Sequence, residues 1–546
     1  RSRGLGDVYK RQIVEALDWL VIGVFFLALI GIIVWVVRQK QNDSADYFLG
    51  GRDATWLAIG ASIFASNIGS EHLIGLAGAG ASSGMAMAHW EIQGWMILIL
   101  GWVFVPFYTR SMVYTMPEFL ERRYNPQSRT ILSVISLVSY VLTKVAVTVY
   151  AGGLVFQQVF GIKELWGIDF FWIAAIGLVV LTALYTIFGG MKSVLYTSVL
   201  QTPILLLGSL IILVLGFKEL GGWDEMMRVC GAVTVNDYGD TMTNLIRSND
   251  DANFPWLGAL IGSAIIGFWY WCTDQFIVQR VLSGKNEMEA RRGTIFGAYL
   301  KLLPVFLFLI PGMIAFALHQ KYIGAGGEGF LPMLANGTAN ADAAFPTLVA
   351  KLLPAGVKGL VVCGILAALM SSLASLFNSS AMLFTIDFYK RFKPETPEKK
   401  LVGIGQIATI VIVVLGILWI PIMRSVGDVL YTYLQDVQSV LAPGIAAAFL
   451  LGICWKRTSA QGGMWGLISG MVIGLTRLGA KVYYSNAGEV ADSTFKYLFY
   501  DMNWLFFCGW MFLFCIIVVI VVSLATEAPT AEKLSLIHIS EPTRPY

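Results

Sequence analysis

The chain has 546 residues, of which 57% are hydrophobic and only 13% are charged, and its mean hydropathy is +0.69. So much apolar surface exceeds what one water-soluble core can bury, so the composition excludes an ordinary soluble protein and predicts an integral membrane protein. The formal net charge of +3 is small for this length and indicates no nucleic-acid partner. The six cysteines lack CxxC or metal-ligand spacing.

The two ends differ abruptly in composition from the segments that they flank. Residues 1–12 read RSRGLGDVYKRQ, and residues 534–546 read LSLIHISEPTRPY. Both strings resemble translated sequencing adaptor. We therefore expect an artefactual leader and tail, and base no structural inference on either of them.

Thirteen apolar segments fit the roughly 20 residues that a membrane-spanning helix needs. In chain order they are 13–37, 55–79, 85–109, 129–160, 165–188, 192–216, 254–275, 293–318, 357–388, 402–423, 427–453, 460–482 and 503–525. Lys and Arg concentrate in the connections that follow odd-numbered segments, whereas the long connection 217–253 is acidic. Because positively charged loops stay in the cytoplasm, we expect these connections inside and the N-terminus outside the cell inner (plasma) membrane.

The second and seventh segments both lose their apolar pattern midway, at SNIGSEH and at GFWYWCTDQ. They are five segments apart, so they cross the membrane in opposite directions, which is typical of two inverted repeats with broken helices near the midplane. An unwound helix persists at that depth only where it lines a protein cavity. We expect one five-helix repeat over 55–216 and a second over 254–453, with peripheral helices at 13–37 and 460–525.

Several polar side chains fall inside the predicted spans. The ionisable ones are Glu71, His72, Glu91, Lys144, Asp274 and Lys301. Each costs about 2.5–3.5 kcal/mol at a helix centre, which indicates either a function or buried ion pairs that fix helix packing. The accompanying side chains are Asn67, Gln435, Trp90, Tyr270 and Trp271. Donors and acceptors beside aromatic faces suit a neutral polyhydroxylated ligand, because hydroxyls need both and a sugar ring stacks on Trp or Tyr.

Long motifs in this chain resemble the sodium:solute symporter family, and among its members a bacterial one of the sodium/glucose cotransporter group. They are SNIGSEHLIGLAG, EFLERRY, YTIFGGMKSV, WYWCTDQFIVQR, AYLKLLP, LMSSLASLFNSSAMLFTIDFY and FLLGICWKR, and they run in order from about residue 15 to 525. The resemblance implies an all-α polytopic membrane protein with a LeuT-type core of inverted five-helix repeats and extra helices at both ends. It also implies transport by alternating access.

The resemblance further implies site residues. The sugar would bind Asn67, His72, Glu91, Tyr270, Trp271, Lys301 and Gln435. Outer gates would be Leu76, Trp90 and Tyr431, and the inner gate Tyr270. Sodium, the co-transported ion, would bind Ala65, Ile68, Ala368, Ser371 and Ser372, where an unwound helix frees its carbonyls. We expect no organic cofactor and no enzymatic activity.

Two departures from the family's pattern concern a second sodium ion. Members that move one place an Asp and a Thr where this chain has Ser198 and Ala374. A cation site without its carboxylate loses most of its attraction, so we expect one sodium ion per sugar. Relatives that transport sugar usually have one more helix, so we also expect that a fourteenth helix is missing from this sequence.

Alternative functions stay open at this point. The same fold would serve a symporter for another polyol or a sugar acid, such as myo-inositol or sialic acid. It would also serve a transport-inactive sugar sensor or a sodium channel. An intramembrane hydrolase is disfavoured, because GASSG at 80–84 lacks the strand–turn–helix setting of a nucleophilic serine.

Overall fold

The computed structural model describes residues 15–39, 41, 43–69, 71–334, 337–425, 430–486 and 491–535. Helices of the first half are Ala16–Val37, Ser44–Leu49, Trp56–Asn67, Glu71–Leu76, Ala77–Ser83, Ala88–Ile92, Met96–Ile99, Leu100–Phe104, Val105–Ser111, Met116–Arg123, Pro126–Ser139, Tyr140–Val145, Ala146–Phe160, Phe170–Leu220 and Trp223–Gly231. Those of the second half are Trp256–Gly267, Phe268–Thr273, Gln275–Leu282, Glu287–Leu300, Val305–Leu309, Ile310–Gly324, Ala344–Leu352, Val357–Met382, Leu383–Tyr389, Lys390–Phe392, Glu398–Ser425, Leu430–Cys454, Ala460–Asn486, Thr494–Lys496, Tyr497–Asp501, Trp504–Ala525 and Ala531–Ser535.

Short elements connect these helices. Single 3₁₀ turns cover Gly50–Arg52, Gly84–Met87, Gln93–Trp95 and Ala341–Ala343. Strands Glu164–Leu165 and Ile168–Asp169 form one antiparallel pair, a feature that the sequence did not predict. Nine helical stretches within the described ranges are long and apolar enough to cross a membrane, which agrees with the apolar composition.

The predicted fifth and sixth segments are joined in one helical run of 51 residues, Phe170–Leu220. A straight helix of this length would measure about 76 Å at 1.5 Å per residue, far more than a bilayer of about 30 Å. Gly190 divides the run, because its backbone angles (φ 52°, ψ −148°) are not helical and its φ is in the range that favours glycine. Two crossing helices therefore meet at this glycine.

The helix Val357–Met382, hereafter the serine helix, lies at the centre of the bundle. Every residue from Ala367 to Met382 is buried, including its five serines. The serine helix packs along Phe170–Leu220 and also against Trp56–Asn67. Small residues such as Ser and Ala let helices approach closely without a hydrophobic driving force between them. This arrangement holds the first interrupted segment against a polar helix in the middle of the protein.

Candidate functional site

The first predicted interruption is a real break in the helix. The helix Trp56–Asn67 ends at Asn67, Ile68 is extended (φ −79°, ψ 103°), and helical structure resumes at Glu71. We call this region the first break. The carbonyls at the end of a helix have no partner within it. Here the Ser372 hydroxyl supplies one, since Ser372 Oγ donates to the Ser66 carbonyl at 2.7 Å and lies 3.3 Å from the Ile68 carbonyl.

Gly69 lets the first break approach the serine helix closely. A Cβ atom at this position would lie only 2.9 Å from Ser372 Oγ. In the sequence pattern SNIGS, the helix therefore ends before Ile68, and Gly69 leaves space for the Ser372 hydroxyl that faces it. Backbone carbonyls and serine hydroxyls consequently meet at one buried point.

The second predicted interruption is also broken, at Asp274. The helix Trp256–Gly267 continues as the π-helical turn Phe268–Thr273, Asp274 is extended (φ −76°, ψ 128°), and the helix Gln275–Leu282 follows. We call this region the second break. Asp274 caps the new helix by accepting a hydrogen bond from the Phe276 amide at 3.2 Å.

Asp274 is also one half of a buried ion pair. Lys144 Nζ lies 2.7 Å from Asp274 Oδ2, and the Tyr140 hydroxyl donates to Asp274 Oδ1. Both side chains of the ion pair are buried, at 2% exposure for Asp274 and 5% for Lys144. A charge in such surroundings is stable only when it is paired and hydrogen-bonded, so the two residues depend on each other.

A cavity of about 40 Å³ lies between the two breaks. Its walls are Asn67, Glu71, His72, Trp90, Glu91, Gln93, Ile266, Tyr270, Trp271, Lys301 and Gln438. Typical small-molecule sites measure about 300–1,000 Å³, so the walls must separate before a solute of sugar size can enter. The structure therefore represents a closed form of this site.

Three ionisable side chains form one wall of the cavity. Lys301 Nζ lies 2.7 Å from Glu91 Oε2 and 2.8 Å from His72 Nε2. His72 Nε2 is in turn 3.2 Å from Glu91 Oε1. All three are buried, and Lys301 Nζ also lies 5.6 Å from the Trp271 ring centre, within cation–π range.

Other polar atoms on the cavity wall have no hydrogen-bond partner within the part of the chain that the structure describes. They are Asn67 Oδ1, His72 Nδ1, Trp90 Nε1 and Gln93 Oε1. Buried polar groups are almost always satisfied, so four such atoms around one cavity indicate a polar ligand. Tyr270 and Trp271 stand at right angles beside them with ring centres 4.9 Å apart, and the Asn67 amide donates to the Tyr270 hydroxyl at 3.0 Å.

Most residues predicted to bind sugar line this cavity: Asn67, His72, Glu91, Tyr270, Trp271 and Lys301. Gln435 and Tyr431 belong to the helix Leu430–Cys454, but their side chains lie outside the described residues. Gln438, one turn after Gln435, does line the cavity, and so does Gln93, two residues after Glu91. Neither Gln93 nor Gln438 was predicted from the sequence as a site residue, although the spacing of Gln435 and Gln438 places those two on one helix face.

The predicted gates are only partly at the cavity. Trp90 lines it and stacks on Trp504, with ring centres 5.2 Å apart and planes 9° from parallel. Leu76 is buried, at 1% exposure, but is not among the wall residues. The gating roles themselves stay predictions.

The predicted sodium ligands lie on the two elements that meet at the first break. Ser372 contacts the Ile68 carbonyl as described, and Ala65 and Ala368 are buried in the same two helices. Ser371 Oγ lies 3.3 Å from Ser198 Oγ, and Ser198 donates to the Val194 carbonyl at 2.6 Å. Hydroxyls and carbonyls are the oxygen ligands that hard cations prefer.

No other kind of metal site is evident among the residues with described positions. Within these ranges, no group of three or more His, Cys, Asp or Glu side chains is placed to hold a metal ion.

Comparisons with known proteins agree with this geometry. The model of the family described as sodium:solute symporter family matches residues 47–470. The chain is 36% identical to the human sodium/myo-inositol cotransporter 2 over 98% of its length and 80% of the relative. It is also 36% identical to the sodium/glucose cotransporter 4 of Danio rerio, over 96% of the chain and 81% of the relative.

A solved structure supports the fold. The substrate-bound, outward-open form of a sodium-coupled sialic acid symporter superposes with a TM-score of 0.75 at 21% identity, over 94% of this chain and 99% of that one. The closed form of the nucleobase–cation symporter Mhp1 gives a TM-score of 0.50 at 13% identity. The fold is therefore that of LeuT-type transporters, in agreement with the predicted fold class.

Proposed function

The chain belongs to the sodium:solute symporter family, and on this basis we propose that it couples sodium entry to uptake of a glucose- or galactose-like monosaccharide. The observation that carries the proposal is the set of unpartnered polar atoms around the cavity between the two breaks. Asn67 Oδ1 and Gln93 Oε1 are acceptors and Trp90 Nε1 is a donor. Sugar hydroxyls can donate to these acceptors and accept from this donor, and the Tyr270 and Trp271 rings suit the apolar face of a sugar.

The charges around the cavity favour a neutral solute over a sugar acid. Glu71 and Glu91 contribute two carboxylates to the walls. Lys301 contributes an ammonium group, which is paired with Glu91. An anionic solute would have to displace Glu91 from Lys301 while facing Glu71. A sialic acid is therefore a poorer match than a hexose, although a structurally similar protein binds one.

A cyclitol is the second candidate, because a relative of this chain is a sodium/myo-inositol cotransporter. myo-Inositol carries a hydroxyl on every ring carbon, whereas a hexose pyranose has a ring oxygen and an exocyclic hydroxymethyl group. Both match the polar atoms of the cavity. Direct competition between the two solutes separates them.

We infer one sodium ion per sugar, bound by Ala65, Ile68, Ala368, Ser371 and Ser372. The neutral Ser198 hydroxyl, 3.3 Å from Ser371 Oγ, supports this ratio, because a second cation there would have no carboxylate to attract it. Each charge carried inward gains about 2.3 kcal/mol per 100 mV of membrane potential. A single sodium ion therefore concentrates sugar less steeply than two would.

The organisation in the membrane follows the same proposal. Residues 55–216 and 254–453 form the two inverted repeats, and the connections after odd-numbered segments face the cytoplasm. The N-terminus then lies outside an inner (plasma) membrane. The relatives described above are animal proteins, so a bacterial source stays a prediction. Those relatives are transporters, which gives indirect support to the expectation that the chain is not an enzyme.

The decisive experiment is counterflow in proteoliposomes with and without sodium. The vesicles are preloaded with glucose, galactose, myo-inositol or N-acetylneuraminic acid, and uptake of labelled glucose is followed. We expect sodium-dependent exchange with glucose or galactose, weaker exchange with myo-inositol, and none with the acid. Sodium flux without sugar exchange would instead identify a channel. Sugar binding without any flux would identify a sensor.

The coupling ratio needs a separate measurement. Initial rates of labelled sodium and labelled sugar uptake should be equal within error. The double variant Ser198→Asp, Ala374→Thr restores the carboxylate and hydroxyl of two-sodium relatives and should raise the ratio towards two. A wild-type ratio near two would overturn the assignment.

A further inference from the structure

A deep apolar groove opens on the outer face of the helix bundle, away from the cavity. Its volume is about 630 Å³, and it lies between the first-repeat stretch Pro126–Val145 and the second-repeat helices Leu383–Tyr389 and Glu398–Ser425. Its walls include Val138, Val141, Phe384, Tyr389, Ile407 and Val411. Several of these side chains are exposed, with Ile407 at 62% and Val138 at 51%. In a membrane protein, this face contacts lipid.

The groove is about as long, measured along the helix Glu398–Ser425, as one leaflet of the bilayer is thick. On the helix Glu398–Ser425 its wall runs from Ile404 to Leu415, about 17 Å at 1.5 Å per residue. The hydrocarbon core is about 30 Å thick, so the groove covers roughly half of it. The end of the groove at Ile404 lies less than two turns from the first residue of that helix and therefore close to the connection 390–398. The orientation proposed above assigns this connection to the cytoplasm.

Basic side chains surround this end of the groove. Lys393 Nζ lies 6.0 Å from the ring centre of Tyr389, a wall residue. Lys390 pairs with Glu398 at 2.9 Å, and Arg391 donates to the Thr130 hydroxyl at 2.6 Å, on the opposite wall helix. The segment 389–400 contains five basic and two acidic residues. Basic residues at a membrane surface attract anionic headgroups.

From this combination we propose that the groove binds an acyl chain of an anionic phospholipid from the cytoplasmic leaflet. The chain lies along Val138, Ile407 and Val411, and the phosphate is held by Arg391 and Lys393, which contact the two walls at the mouth. The apolar walls favour a hydrocarbon occupant, and the charge at the mouth favours an anionic headgroup over a zwitterionic one. A sterol or a second copy of the chain would use the walls but not Arg391 and Lys393.

The occupied groove has a consequence for the second break. Val141 contributes to the wall, and in the same π-helical turn, Tyr140–Val145, Tyr140 and Lys144 hold Asp274. A lipid chain against Val141 therefore packs directly on the turn that fixes the second break. This part rests on the proposed function, because it predicts that the lipid increases sodium-driven uptake.

Lipid binding is tested on the purified full chain by photo-crosslinking. The chain is reconstituted in phosphatidylcholine vesicles that contain a trace of a photoreactive lipid with a diazirine on its acyl chain. This lipid is phosphatidylglycerol in one sample and phosphatidylcholine in the other. We expect labelled peptides from 131–145 and 398–415 and stronger labelling by phosphatidylglycerol. Lys393→Gln should lower this preference about fivefold, and the double variant with Arg391→Gln about twentyfold.

Two further variants complete the test. Val138→Trp fills the groove and should remove labelling by both lipids. Lys285→Gln with Arg292→Gln removes two charges elsewhere on the same side of the protein and should change nothing. Equal labelling by the two lipids, labelling of other segments, competition by a sterol alone, or the same loss in the control variant would each overturn the proposal.

The effect on transport is measured separately, so that its failure is distinguishable. Sodium-driven glucose uptake should be about threefold faster when one fifth of the lipid is phosphatidylglycerol, and Val138→Trp should abolish this difference. Preserved crosslinking with equal uptake in both lipids would overturn the effect on the second break and leave the binding site intact. Absence of uptake in either lipid, with preserved crosslinking, would contradict the proposed function instead.

Discussion

The two breaks use the same backbone device with different chemistry. At the first break, neutral oxygens meet: the carbonyls of Ser66 and Ile68 and the hydroxyl of Ser372. At the second, Asp274 and Lys144 form a buried ion pair. The end of the helix Trp56–Asn67 presents carbonyls, which attract cations, whereas the start of Gln275–Leu282 presents amides, which attract a carboxylate. A mobile cation suits the first, and a resident charge occupies the second.

Arg280 connects the two breaks. This fully buried side chain lies six residues after Asp274, near the end of the helix Gln275–Leu282, and its Nε donates to Ser66 Oγ at 3.0 Å. Ser66 Oγ is in turn 2.7 Å from Ser375 Oγ on the serine helix. A movement of the second broken helix therefore reaches the first break and the serine helix through one guanidinium.

The largest expected effect tests whether the second break depends on its charge pair. Asp274→Asn leaves the Lys144 ammonium buried without its ion-pair partner, which should lower the free energy of unfolding by about 3–5 kcal/mol. Thermal melting of the purified chain in detergent measures this. The double variant Asp274→Asn, Lys144→Met should melt above the single variant. A single variant as stable as the wild type would remove the contrast between the breaks.

The charge cluster in the cavity should behave differently, because we assign it to the solute. Glu91→Gln removes an acceptor and should weaken apparent sugar affinity by about 1–3 kcal/mol, or roughly ten- to a hundredfold. We expect the same of Gln435→Ala, with sodium affinity changing less in both. Concentration dependence of uptake at saturating sodium tests this. Unchanged sugar affinity in Gln435→Ala would show that the predicted pocket is misplaced.

Ser372→Ala tests the neutral chemistry of the first break. Loss of one hydroxyl ligand should reduce apparent sodium affinity about tenfold, while thermal stability changes by only about 1 kcal/mol. Ser380→Ala is the matched control, since Ser380 is equally buried on the serine helix and has no hydrogen-bond partner in the described ranges. If both variants change sodium dependence equally, the ion lies elsewhere.

The smallest effect is expected outside both breaks, at the stacked pair of Trp90 and Trp504. Such pairs contribute about 0.5–1.5 kcal/mol beyond burial, so Trp504→Leu should weaken sugar affinity roughly two- to tenfold. Trp510→Leu, on the same helix but 63% exposed, should be neutral. Sugar-protected tryptophan fluorescence or uptake kinetics provides the measurement, and a larger effect for Trp510→Leu would contradict the gate assignment.

The sequence predicted the breaks because polar residues inside an apolar pattern are conspicuous. SNIGSEH and GFWYWCTDQ lie at Ile68 and at Asp274, where the backbone becomes extended. The ionisable residues in the spans were also informative, since a charge in a membrane must find a partner. Which partner it finds is a tertiary property, and no spacing rule pairs Lys144 with Asp274 across 130 residues.

Other features of the structure leave little trace in the sequence, for physical reasons. A sequence does not show which face of a membrane helix meets the cavity, so Gln93 and Gln438 were not distinguished from other polar residues, although both line the cavity. The run Phe170–Leu220 was predicted as two separate segments. The sequence does not reveal that helical structure extends up to Gly190 from both sides, with only this residue outside the helical conformation. The strand pair at 164–169 is too short for any alternating pattern to appear.

The small volume of the cavity has a consequence for measured affinities. If the closed form dominates in the absence of solute, the apparent dissociation constant equals the intrinsic one divided by the fraction of molecules that are open. A substitution that shifts only this fraction therefore rescales the affinities for every sugar by the same factor. A substitution in the cavity wall changes their ratios. Ranking several sugars against each variant thus sorts residues that control opening from residues that choose the cargo.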